Sequence, residues 1–308
     1  MSQKLLKGII VPTITPLTQQ GTLDKAGLER LVDHLLDGDI NGLFLAGTTG
    51  EGPALSYQIR RELVSNVCKQ INGRIPVVIA ALDSSPAETL NMISHAADAG
   101  AVAAAVAPPF YLPLSQTDII RYVETISQRS PLPLYLYNVP NANLPRFSLG
   151  ALDRLSQLDN VRGFKDSTGS REFLLDAIRI FSRRPDSSVL VGPEGLLMEA
   201  LRAGADGGVS GGANLFPELY RRTYDAAVAG DWRKAEQLHR LILRIEKDFY
   251  CVGEAESALI RGVKVAAGLL GLCNDTIGSP YSPATPEQIR DVAQKLDRFR
   301  KALQETFA

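Results

Sequence analysis

The residue of this chain best suited to covalent chemistry is Lys165, inside a short β-type run, VRGFKD at 161–166. It stands two positions after Gly163, so on an extended strand both point the same way. Enclosing an ammonium costs several kcal/mol, roughly speaking, unless the charge is paired. The same desolvation lowers its pKa and makes the amine a nucleophile toward carbonyl carbon. An outward-facing lysine, or one paired with its neighbour Asp166, is the plainer alternative. A second group is GTTGE at 47–51, where Gly47 and Gly50 bracket two hydroxyl residues. Backbone N–H groups there can approach an anion while Thr48 and Thr49 donate. A tight turn capping the next helix would use the same letters. In LYLYNVP at 134–140, period-two alternation puts Tyr135 and Tyr137 on one face. Tyr137, nearer the loop, is the better proton-relay candidate, and a core aromatic with a satisfied hydroxyl is its alternative. The glycine-rich stretch AGADGGVSGGAN at 203–214 lets a ligand come close to Val209, Ser210 and Gly211. Crowding at a barrel seam explains those glycines equally well.

Something must bring these groups together, and the chain has a rhythm able to do so. Short β-type runs recur at 8–14, 42–47, 76–82, 101–107, 132–139, 161–166, 188–192 and 206–211. Amphipathic helical patterns separate them, as at 25–36, 56–72, 86–99 and 114–128. Helix-start signals stand where they should: Ser85-Pro86, Ser115 with Asp118, and Ser170 ahead of Phe173. Eight such units predict an α/β fold, a closed (β/α)8 TIM barrel. An open dinucleotide-binding sheet is disfavoured, because PTITPLTQQG after the first strand carries no G-x-G-x-x-G. Beyond about residue 225 the β signals stop. Helical patterns at 232–249, 254–269 and 286–306 predict a C-terminal helical extension at 226–308, packed on a catalytic barrel at 1–225. The turn-rich stretch 274–286 reads as a surface loop between the last two helices.

Composition narrows the classes. The 308 residues carry 33 Lys+Arg against 34 Asp+Glu, a net charge of -1, with no like-charge run that suggests a nucleic-acid surface. Three scattered cysteines, Cys68, Cys251 and Cys273, read as reduced thiols in a cytoplasmic protein. Pro12 and Pro16 interrupt the first apolar run, which argues against a signal peptide. No stretch has the length of a membrane span. His34, His95 and His239 are isolated within helical segments and share no ligand spacing, so no metal is expected.

Taken in order and spacing, GTTGE (47–51), PPFY (108–111), YNVP (137–140) and GFKDSTG (163–169) resemble the dihydrodipicolinate synthase/N-acetylneuraminate lyase family. The likeness runs over essentially the whole chain. It implies that Lys165 forms an imine with pyruvate, that Tyr137 shuttles protons, and that Thr48 and Thr49 hold the 2-oxo acid carboxylate. Thr48 would link Tyr137 to a second tyrosine, matching Tyr111, which in tightly dimeric members reaches into the neighbour's site. The resemblance further implies a homotetramer built from tight dimers, and no cofactor. Synthases of the family carry an arginine where this chain has Ala142, and sialic acid lyases an acidic pair where it has Glu194-Gly195. The segments GFKDSTG and VGPEGLLMEALRAGADGGV look more like aldolases of 4-hydroxy-2-oxoglutarate or 2-keto-3-deoxy sugar acids. The expectation is therefore cleavage or formation of a 2-oxo-4-hydroxy acid with pyruvate as the imine partner. The alternatives are dihydrodipicolinate synthesis, dehydration of a 2-keto-3-deoxy acid, sialic acid cleavage, or a non-catalytic sugar-acid-binding paralogue.

Overall fold

The structure is a computed structural model and describes residues 4–111, 113–139, 143–253 and 257–307. Eight parallel strands close in sequence order: β1 (Gly8–Pro12), β2 (Gly42–Leu45), β3 (Val77–Ala80), β4 (Ala103–Val106), β5 (Leu134–Asn138), β6 (Val161–Asp166), β7 (Ser188–Val191) and β8 (Gly207–Val209). Strand β8 pairs back onto β1, Gly207 with Gly8 and Val209 with Ile10, so the ladder has no free edge. The helices between and after the strands are α1 (Lys25–Asp37), α2 (Tyr57–Ile71), α3 (Pro86–Ala99), α4 (Gln116–Arg129), α5 (Leu149–Leu155), α6 (Arg171–Phe181), α7 (Leu197–Arg202) and α8 (Pro217–Val228). Three more follow, α9 (Trp232–Phe249), α10 (Ala258–Leu269) and α11 (Pro286–Phe307). This is the (β/α)8 barrel with a C-terminal helical extension that the rhythm predicts.

Local chemistry explains the boundaries. Ser85, Ser115 and Ser170 cap α3, α4 and α6, their hydroxyls accepting the N–H groups of Glu88, Asp118 and Phe173. Ser115 and Asp118 complete a capping box. Except for β6, which fills its predicted run, the strands are shorter than the runs that announce them. Ladder pairing in β1 stops at Pro12, and the Ile14 N–H instead donates to the Asn214 side chain at 3.0 Å. Strand β2 ends at Leu45 because Ala46 turns into the left-handed region, φ 53°. The predicted helix at 254–269 is observed from Ala258, and 254–256 lie outside the described residues.

Strand alternation divides the core in two. Ile10, Phe44, Ala105, Tyr135, Tyr137 and Val209 fill the inside of the barrel. Ile9, Leu43, Leu45, Leu134, Leu136 and Phe164 face outward, against the helices. The extension docks through aromatic contacts, with Phe299 of α11 at 4.6 Å from Phe216 and 6.0 Å from Phe249 between ring centroids. Among the described residues no helix is long and apolar enough to cross a membrane.

Candidate active site

The register of β5 on β6 assembles the chemistry. Tyr135 lies opposite Gly163, and Tyr137 opposite Lys165. Gly163 is demanded by its neighbour: a Cβ there would stand 2.4 Å from the Tyr135 ring and 2.2 Å from the Ser188 carbonyl oxygen. Two residues on, Lys165 enters the same interior and is 4% exposed. Its Nζ lies 4.1 Å from the ring centroids of both Phe44 and Tyr137, which meet edge to face. Asp166 alternates to the other face, where Thr168 donates to its carboxylate through N–H and hydroxyl. The pairing of Lys165 with Asp166 therefore does not occur. With no carboxylate partner among the described residues, burial pulls the Lys165 pKa down to about 7.

Tyr137 and Tyr135 share a strand face but not an environment. The Tyr137 hydroxyl is 3.2 Å from Thr48 Oγ1, at the mouth of the barrel. The Tyr135 hydroxyl is 2.9 Å from Ser188 Oγ, further down. Burial raises the pKa of Tyr137, and the Thr48 and Ser167 hydroxyls oppose that rise. The Tyr137 phenol therefore keeps its proton at neutral pH. Its hydroxyl stands against those of Thr48 and Ser167, an arrangement that can pass a proton without a lowered phenol pKa.

These groups open into a cavity of about 550 Å³ at the C-terminal end of the barrel. Of the residues expected at the site, Thr48, Thr49, Tyr137, Lys165, Val209 and Gly211 line it. Gly47, Ser210 and Tyr111 do not. Gly47 has no room for a side chain, because a Cβ would sit 2.7 Å from the Phe44 ring. Ser210 alternates away from Val209 and is fully buried. Tyr111 is 84% exposed on the loop after β4 and makes no hydrogen bond to Thr48 within this chain. Ala142, where the synthase arginine would stand, lies outside the described residues.

The geometry also recruits residues that were not singled out. Asp83, Ser167, Tyr250 and Tyr281 line the cavity, together with Glu246. Glu194 is 3% exposed and saturated: Tyr220 and Tyr250 hydroxyls donate to its carboxylate at 2.5 Å each, and the Gly212 N–H at 3.0 Å. Burial pushes its pKa up to about 7. Tyr220 and Tyr250 come from α8 and the end of α9, more than 25 residues away in sequence, so no local pattern could announce them. Among the described residues, no three His, Cys, Asp or Glu side chains converge as a metal set would require. His239 instead bonds the Glu194 carbonyl at 2.8 Å.

Comparison with known proteins follows the same lines. The model of the dihydrodipicolinate synthetase family matches residues 5–299. A 4-hydroxy-tetrahydrodipicolinate synthase of Phenylobacterium zucineum is 32% identical over 289 residues, covering 92% of this chain and 94% of the relative. The solved dihydrodipicolinate synthase of Bacteroides thetaiotaomicron superposes with a TM-score of 0.92 at 38% identity, covering 97% of this chain and all of the other. A prophage protein of E. coli K12 from the dihydrodipicolinic acid synthase family, solved in complex with pyruvate, gives a TM-score of 0.90 at 28% identity, over 96% and 99% of the two chains.

Proposed function

This chain belongs to the dihydrodipicolinate synthetase family of carbon–carbon lyases and synthases, and we propose that it works through an imine between Lys165 and pyruvate. The observation that carries this reading is a buried lysine with no carboxylate partner among the described residues, in van der Waals reach of a neutral tyrosine. With a pKa near 7 about half of the Lys165 amine is unprotonated at neutral pH. It adds to the C2 carbonyl of pyruvate, and the carbinolamine loses water as Tyr137 delivers a proton to the departing hydroxyl. The resulting iminium draws electrons from C3, so a C3 carbanion is formed or quenched as an enamine. Thr48 and Thr49, with the N–H groups of their loop, bind the pyruvate carboxylate. Incubation with pyruvate and borohydride, followed by mass spectrometry, should show a reduced adduct on Lys165. A wild-type enzyme without that adduct would end the reading.

Two outcomes for the enamine have separate support. The names of the relatives favour condensation with aspartate semialdehyde. The other outcome is cleavage or formation of a 2-oxo-4-hydroxy acid, of the 2-keto-3-deoxy sugar acid or 4-hydroxy-2-oxoglutarate type, whose hydroxyls suit the Thr48, Thr49, Ser167, Tyr250 and Tyr281 hydroxyls that line the cavity. A coupled assay offering pyruvate with aspartate semialdehyde, beside a panel of 2-keto-3-deoxy acids, separates the outcomes.

Tyr111 completes a relay to Tyr137 only if a second copy supplies it, so its exposure suits the tight dimers of a homotetramer. A cytoplasmic site of action agrees with the three unpaired thiols.

A further inference from the structure

Thr48 and Thr49 sit on a loop that is wound tightly and bracketed by strain. Ala46 and Glu51, both non-glycine, have φ of 53° and 59°. Between them the Glu51 N–H donates to Thr48 O, and the Gly52 N–H to Gly47 O, at 3.0 Å each. Gly52 is wedged so closely that a Cβ would lie 1.7 Å from the Ala46 carbonyl oxygen. Outside itself, the loop is held by the Thr15 hydroxyl, which donates to Gly50 O at 2.7 Å, and by the Glu51 carboxylate.

That carboxylate reaches into the C-terminal extension. It pairs with Lys264 of α10, both side chains fully buried, and accepts the Gly278 N–H at 2.6 Å. Lys264 also donates to Thr276 O at 2.6 Å. One ion pair therefore joins three segments: the carboxylate loop, α10, and the loop 274–286 that brings Tyr281 to the cavity. The Thr48–Tyr137 contact is only 3.2 Å long, so a slip of the loop by a few tenths of an ångström would lose it.

We propose that the Glu51–Lys264 pair is a positioning device for the substrate carboxylate, which makes the extension a working part of the active site. The proposal rests on the imine reading, and its test keeps the two apart. Borohydride trapping is run across pyruvate concentrations, and the half-saturating concentration is read from the Lys165 adduct, with thermal melting in parallel. Two variants are compared with wild type. Glu51→Asp keeps both charges and retracts the carboxylate; the double variant Glu51→Gln with Lys264→Met leaves no stranded charge and so protects folding. Both should need at least about tenfold more pyruvate for half-saturation while still forming the full adduct at saturation. A merely structural pair would lower the melting temperature and leave half-saturation unchanged, and that result in either variant overturns the proposal. If wild type forms no adduct, the imine reading fails first.

Discussion

Two lysines are buried in this molecule in contrasting surroundings. Lys165 lies in the barrel interior against two aromatic rings, and among the described residues no carboxylate pairs with it. Lys264 lies where α10 meets the barrel mouth, is equally buried, and is paired with Glu51. Burial pulls both pKa values down, but at Lys264 the Glu51 charge pushes back. Desolvation alone, then, does not mark a nucleophile. In the proposed reading what marks it is desolvation with no described carboxylate to keep the proton, next to a hydroxyl group that can pass one on.

The contrast can be broken at several points. Replacing Lys165 by Ala should abolish the pyruvate adduct and cost on the order of 10⁴-fold or more in turnover, read by steady-state kinetics. A residual adduct on Lys264 in that variant would reverse the assignment of roles. Lys264→Met should strand the Glu51 carboxylate and lower unfolding stability by about 3–5 kcal/mol in urea titrations. Lys165→Met strands no charge and should leave stability unchanged or raise it. Tyr137→Phe removes the phenol proton and should slow trapping about 10²- to 10³-fold, with the adduct still forming at long times.

Protonation sharpens the comparison further. The amine attacks only when neutral, so the trapping rate at low pyruvate should climb about tenfold per pH unit below 7 and level off above it. Stability follows by linkage. The folded pKa of Lys165 lies below its unfolded value of 10.5, so between about 7 and 10.5 the unfolded chain binds more protons. Over that window stability should rise with pH on account of Lys165, and Lys165→Met should flatten that component of the curve. The smallest effect belongs to Tyr135, whose hydroxyl meets Ser188 away from the amine. Tyr135→Phe should cost about 1 kcal/mol of stability and leave trapping unaltered.

Local periodicity was sufficient to announce the barrel. The alternation that makes a strand also sorts side chains by face, so Tyr135 could be matched with Tyr137, and Lys165 with Gly163, from the letters alone, while which of the two faces lies inside was settled by the closed barrel. The serine caps of α3, α4 and α6 were legible for the same reason, being contacts within four residues. Except in β6 the strand ends were overestimated, because β-type letters continue past the last ladder bond, and some of them, such as Leu82, Ala107 and Val139, line the cavity instead.

What the letters could not show depends on contacts between distant segments. Tyr137 was picked over Tyr135 from its place nearer the loop, but the 3.2 Å contact with Thr48 is made by the register of β5 on β6 and by where β2 stops. Glu194 reads as half of a sugar-binding pair, yet tyrosines from α8 and α9 occupy its oxygens. Glu51 reads as the end of a turn, yet its charge is answered by a lysine 213 positions later, 264 minus 51. Periodicity is a property of neighbours along the chain, whereas desolvation and charge pairing depend on everything within a few ångströms, and only the closed fold sets those distances.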